Sequence, residues 1–174
     1  MADTAEIPKT NDVFERQVAI TIAILAVALA FVSSQGDNAK TDAILKTNEA
    51  SNKWGYYQAK SLKQNLWETE GRLLTLLPPG SEAAARTAAI AKAASEAQRH
   101  DAEKEELKIE AEKLVAEAEH NSRINDRCGY GALGLQIGIV ICSVAILSKW
   151  RVLWFAGMVL GILGIVVGFS AFLM

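Results

Sequence analysis

Two histidines, two cysteines, an aromatic cluster beside a lysine and one intramembrane-type amide are the residues of this 174-residue chain with chemistry to offer. His100 and His120 stand in a run of Ala, Glu and Lys, with no second histidine within a helical turn of either. That spacing does not build a two-histidine metal site on one helix face. No nucleophile elbow, phosphate loop or dinucleotide fingerprint occurs, so the expectation is a chain that is not an enzyme and holds no cofactor or metal. Cys142 lies in an apolar window and reads as a small packing residue. Cys128, at the edge of a charged block, reads as a free thiol, the alternative being a disulfide to its copy in an oligomer. The stretch Trp54-Gly55-Tyr56-Tyr57-Gln58-Ala59-Lys60-Ser61 packs three aromatics into four residues. Trp54, Tyr56, Tyr57 and Lys60 would suit a sugar or a lipid headgroup. The preferred reading is a bulky packing layer between helical hairpins, because large aromatics favour buried contacts between chains. Gln136 sits in an apolar stretch, where an amide either bonds across helices or lines a pore.

These residues are positioned by a chain whose charged and apolar residues are segregated. The net charge is −2 and no basic run appears, which gives no argument for nucleic acid. Charges concentrate in one block and apolar residues in three windows. The reading is an all-α membrane protein with three transmembrane helices and a long antiparallel, coiled-coil helical hairpin projecting between the first and second. The divisions are a polar arm over 1–11, transmembrane helix 1 over 12–36, the hairpin over 37–128 with its turn at 78–80, transmembrane helix 2 over 129–148, a loop at 149–151 and transmembrane helix 3 over 152–174. Each apolar window reaches the 17–25 residues that cross a bilayer as a helix. Ala28-Leu29-Ala30 resembles a signal-peptidase site, but the preceding region is acidic and long, so a retained helix is expected.

In the block, Pro78 biases Leu77 away from helix, so the first limb ends there, and Ser81 caps the second with Glu82 in its first turn. On the first limb Leu45, Ala59, Leu62, Leu66, Leu73 and Leu76 form a near-heptad stripe, with Asn48, Asn52 and Gly55 as weak members. Trp54, Tyr57 and Ser61 form a second stripe. Two stripes predict more than one packing neighbour, as in an oligomer. On the second limb Ile90, Ala93, Ala97, His100, Lys104, Leu107, Ala111, Leu114 and Ala118 make the seam, and the Glu/Lys run is read as a solvated face. Leu73, Leu74, Leu76 and Leu77 at the tip are either the end of the seam or a docking patch for a protein partner.

In the apolar windows, small residues recur at three- and four-residue spacing. Ala19, Ala23, Ala26 and Ala30 (with Ser33) do so in the first, Gly131, Gly134 and Gly138 in the second, and Gly157, Gly161, Gly164 and Gly168 in the third. Such faces let helices approach closely in lipid and are candidate packing or oligomer interfaces. None of the three windows has an interior ionisable residue, which argues against a pump or secondary transporter. Lys149 and Arg151 load a very short loop, so the positive-inside rule puts the N-terminus in the cytoplasm and the hairpin outside.

The stretch Ser51 to Ser61 resembles the signature of a bacterial membrane-protein family known as domain of unknown function 4337. The charged helix Glu103 to Glu119, Gly134-Leu135-Gln136-Ile137 and Leu153-Trp154-Phe155-Ala156-Gly157 are similar to its second half. The resemblance covers most of the chain. It implies a bacterial envelope location, here the inner membrane, and the three-segment layout, but no chemistry. The expected function is a structural, homo-oligomeric scaffold in the lipid bilayer. The alternative is a channel, or a channel subunit, with the hairpins forming a vestibule.

Overall fold

A computed structural model describes residues 12–78 and 83–171. The described residues form three helices and no strand: α1 (Asp12–Leu76), α2 (Ala83–Ser148) and α3 (Arg151–Ser170). All three are long and apolar enough to cross a membrane. α1 and α2 each join an apolar window to a charged limb without a break, 65 and 66 residues long. α1 stops at Leu76 and Pro78 lies outside it, as the missing N–H and the clash with the preceding residue require. The polar arm, Pro79, Gly80 and the cap assigned to Ser81 and Glu82 lie outside the described residues. α2 and α3 are separated by Lys149 and Trp150 only, and Arg151 already belongs to α3. Lys149 takes φ 50°, the left-handed conformation that ends helices and that glycine adopts more cheaply.

The chain divides into two compact units, Met1–Thr41 with Asn121–Met174, and Asp42–His120. In the first, apolar unit, α2 and α3 meet through glycines. A Cβ on Gly131 would lie 2.7 Å from Gly168 Cα, one on Gly134 3.1 Å from Gly164 Cα, and one on Gly138 2.8 Å from the Gly157 carbonyl oxygen. Only backbone stands on the far side, so nothing can swing away. α1 contributes the bulk. Leu25 fills the notch at Gly161 and Val32, one heptad on, fills the notch at Gly168. Phe14, Val18, Leu135 and Cys142 complete this core. Trp154 donates its indole N–H to Thr21 Oγ1 at 3.2 Å and meets the Phe14 ring edge-on at 5.9 Å.

In the second unit the buried residues are small: Ala50, Ala93, Ala97, Ala111 and Ala118, with His100. α1 turns Ala43, Lys46, Ala50, Lys53, Tyr57, Lys60, Gln64, Trp67, Gly71 and Leu74 inward, at alternating spacings of three and four. Of the two stripes, that of Trp54, Tyr57 and Ser61 borders the seam, half-buried, and the leucine stripe does not, so the expectation that Leu73 and Leu76 end the hairpin seam is corrected. Leu45, Leu62, Leu66, Leu73 and Leu76 are exposed. They fall two positions later in the heptad, some 160° around the helix at about 100° per residue. The α2 seam lies where its spacing predicts, from Ile90 to Ala118, every member buried or half-buried.

The glycine contacts set an expected outcome. Gly164→Ala should destabilise the apolar unit by about 1–3 kcal/mol, as overpacking against immovable atoms does. Gly55→Ala has open space around the new methyl and should be neutral or stabilising by up to about 1 kcal/mol from helix propensity. Thermal unfolding followed by circular dichroism in detergent would compare the two.

Candidate functional site

The second unit holds the chain's polar constellations. Lys46, Lys53 and Lys60 are seven residues apart on α1. Their partners on α2, Glu117, Glu110 and Glu103, are seven apart in descending order. Lys46 reaches Glu117 at 3.3 Å, and the other two pairs are closer. At these inward positions an alanine seam leaves room for lysine stems to lie along the interface with their ammonium groups at its edge. Beside the Lys60–Glu103 pair, on its tip side, Lys104 donates to Gln64 Oε1 at 2.8 Å and pairs with Asp101 at 2.9 Å. The next rung is aromatic: Lys92 stands 5.9 Å over the Trp67 ring. Arg86 then donates to the carbonyl oxygens of Leu74 at 2.6 Å and Thr75 at 2.8 Å. It satisfies two acceptors that the end of α1 leaves without N–H partners. The ladder was missed in the sequence, where the Glu/Lys run reads as a solvated face. Its signal was present as lysines and glutamates each repeating at seven.

The aromatic signature divides. Trp54 and Tyr57 meet edge to face at 5.4 Å and are half-buried. Lys60 turns to Glu103, while Tyr56 lies on another side of the helix, exposed. The four residues do not converge on one surface. His100 is 4 % exposed; its Nδ1 lies 3.4 Å from Glu103 Oε2, beyond good hydrogen-bond geometry, and has no other partner among the described residues. Beside it, a groove of about 850 Å³ is lined by Lys60, Lys63, Trp67, Lys92, Glu96 and Arg99 among others. It is an open furrow with acids beside its bases, and Lys60 and Arg99 already pair with Glu103. Among the described residues no group of three or more His, Cys, Asp or Glu is placed to hold a metal ion. At the tip Leu73, Leu76 and Leu77 are exposed and Leu74 is half-buried.

In the apolar unit the sequence-singled faces behave differently from one another. Gly157, Gly161, Gly164 and Gly168 are buried and, with Gly134 and Gly138, are used inside the chain. Ala19, Ala23, Ala26 and Ala30 are all exposed, because the bulky Val18, Leu25 and Val32 take the inward positions of α1. Gln136 is exposed, with no side-chain hydrogen bond among the described residues. Both cysteines are free and buried, Cys128 beneath Gly36, which leaves its thiol no route to a copy without local opening.

The ladder has a pH signature. Hydrogen bonds to Glu117 and Glu110 are the main cause that holds Lys46 and Lys53 above the ordinary lysine value of 10.5. The bond from Lys60 holds Glu103 below 4.5. A raised lysine stabilises the folded state below 10.5 and stops doing so as pH rises through its own higher value. A depressed carboxylate stabilises above 4.5 and stops as pH falls through its own lower value. Unfolding midpoints should therefore be flat between these limits and fall on both sides. At neutral pH, Lys53→Glu should lower the midpoint, and Lys53→Glu with Glu110→Lys should restore it.

A family model described as "Domain of unknown function (DUF4337)" matches residues 14–174. No curated protein and no solved structure gives a significant match.

Proposed function

Because this chain belongs to the DUF4337 family, whose description assigns no activity, its role is read from its surfaces, and we propose a structural scaffold: an integral membrane protein that assembles with copies of itself. In this reading all three helices cross the inner membrane of a bacterium. The N-terminus and the Lys149–Trp150 turn lie in the cytoplasm, and the two charged limbs form an antiparallel hairpin in the periplasm. The descending order of Glu partners supports the hairpin. The absence of charge inside the windows supports insertion, and the positive-inside rule supports the sidedness.

One observation carries the assembly. The apolar unit leaves Ala19, Ala23, Ala26, Ala30 and Gln136 unused by its own helices. In lipid an unbonded amide is costly and small residues are where helices meet, so both are satisfied by a neighbouring span. The second reading, a channel with the hairpins as vestibule, is favoured by the exposure of Gln136 alone.

Light scattering of the detergent-solubilised chain, corrected for bound detergent, should give a multiple of 18.8 kDa. Replacing Ala23 and Ala26 together by leucine should shift it towards monomer. A monomeric wild type would overturn the scaffold. Liposomes carrying the protein should stay tight to ions and small solutes; leakage abolished by Gln136→Leu would establish the channel instead.

A further inference from the structure

The second unit keeps its alanines for itself and shows its leucines to the outside. On α1, Leu45, Asn52, Ala59, Leu66 and Leu73 fall at one position of a heptad, and Asn48, Gly55, Leu62, Thr69 and Leu76 at the position three further on. All ten are exposed. No charged residue between Asp37 and Leu76 occupies this stripe, although charges stand at four of the five other heptad positions, the inward one of Ala43, Ala50, Tyr57, Gln64 and Gly71 being the exception. A stripe that repeats at seven fits another helix wound about it.

We propose that this stripe pairs with the same stripe of a second copy, parallel and in register, so that α1 and its counterpart form a two-stranded coiled coil at the centre of the assembly. The inference rests on the scaffold reading, since copies inserted in one bilayer with one topology present α1 in the same direction and at the same height. Three features select this occupant. Asn52 would face its own copy at the kind of coiled-coil position where a buried asparagine fixes register and favours two strands. The flanking contacts of a parallel pair join Ile44 to Glu49, Ser51 to Tyr56, Gln58 to Lys63, Asn65 to Glu70 and Arg72 to Leu77 of the other copy. None opposes like charges, and the Gln58–Lys63 and Asn65–Glu70 contacts each match an amide to an ion. The area is also right for a tethered pair. Leu45 to Leu76 spans about 46 Å at 1.5 Å per residue, and a contact ~10 Å wide would bury roughly 900 Å² over both copies. That lies just under the size of a free-standing interface, and it suffices where shared anchorage raises the effective concentration.

Disulfide trapping in membranes of the full chain tests the pairing. Leu66→Cys and Leu73→Cys, oxidised with copper phenanthroline, should give at least ten-fold more dimer than Thr47→Cys or Thr75→Cys, which lie off the stripe. Leu66→Glu with Leu73→Glu should abolish trapping at Leu45→Cys while the helix signal in circular dichroism is kept. Equal trapping at all four positions, or an adduct whose mass is not twice that of the chain, overturns the pairing. An oligomer that is trapped at Ala23→Cys but not at Leu66→Cys or Leu73→Cys overturns it and leaves the scaffold standing. A monomer by light scattering overturns both.

Discussion

Close approach of helix backbones is the constraint on which both units depend, and each meets it with a different small residue. Where α2 meets α3, the added methyl of an alanine already collides with backbone, so glycine is required at Gly131, Gly138 and Gly164. A packed interior does not yield to a collision with main chain as it does to one with a side-chain end. At Gly161 and Gly168 the opposing atoms are Leu25 and Val32 side chains, so the same residue type plays a second part there, as a socket for α1. In the charged unit one methyl per position is tolerated, and Ala50, Ala93, Ala97, Ala111 and Ala118 set the spacing.

That choice has an energetic consequence. A buried methylene contributes about 0.8 kcal/mol and a fully buried leucine about 1.5–3 kcal/mol, so an alanine seam is a thin source of stability. The ion-pair ladder lies at the edge of the seam, where screening by water keeps such pairs weak. Helix propensity in the Ala-, Glu- and Lys-rich α2 supplies a further part. Meanwhile the five exposed leucines of α1 leave on the order of 10 kcal/mol of potential burial unclaimed by the chain itself.

The three helices, the proline-bounded end of α1 and the short α2–α3 turn were legible because each has a local cause. Window length, a missing N–H and two residues between apolar runs need no tertiary information. The α2 seam was legible too, because alanines and apolar residues coincide there on one face. On α1 they do not coincide. Leucine outweighs alanine in any reading by hydrophobicity, and the period is the same on both faces. Choosing the inner face needs the partner, whose glutamates repeat in the opposite order. The same ambiguity governs the first window: its alanine face resembles a packing face, yet a helix that must fill glycine sockets turns Val18, Leu25 and Val32 inward instead. Small residues on one helix call for large ones on the next, and a single helix read alone does not say which part it takes.

The division of charge on α1 then separates two kinds of surface that exposure alone does not. A face meant for water gains solubility from lysine and glutamate and loses nothing by carrying them. The inner seam of α1 accepts lysine at Lys46, Lys53 and Lys60 because a glutamate waits opposite each. The outer stripe has no such partners within the chain, and it carries no charge at any of its ten positions. Tolerance of charge on the paired face and its exclusion from the unpaired one is the reverse of what an outer surface needs. It is what a helix needs when it stands between two neighbours, one that answers its charges and one that answers only its leucines and amides.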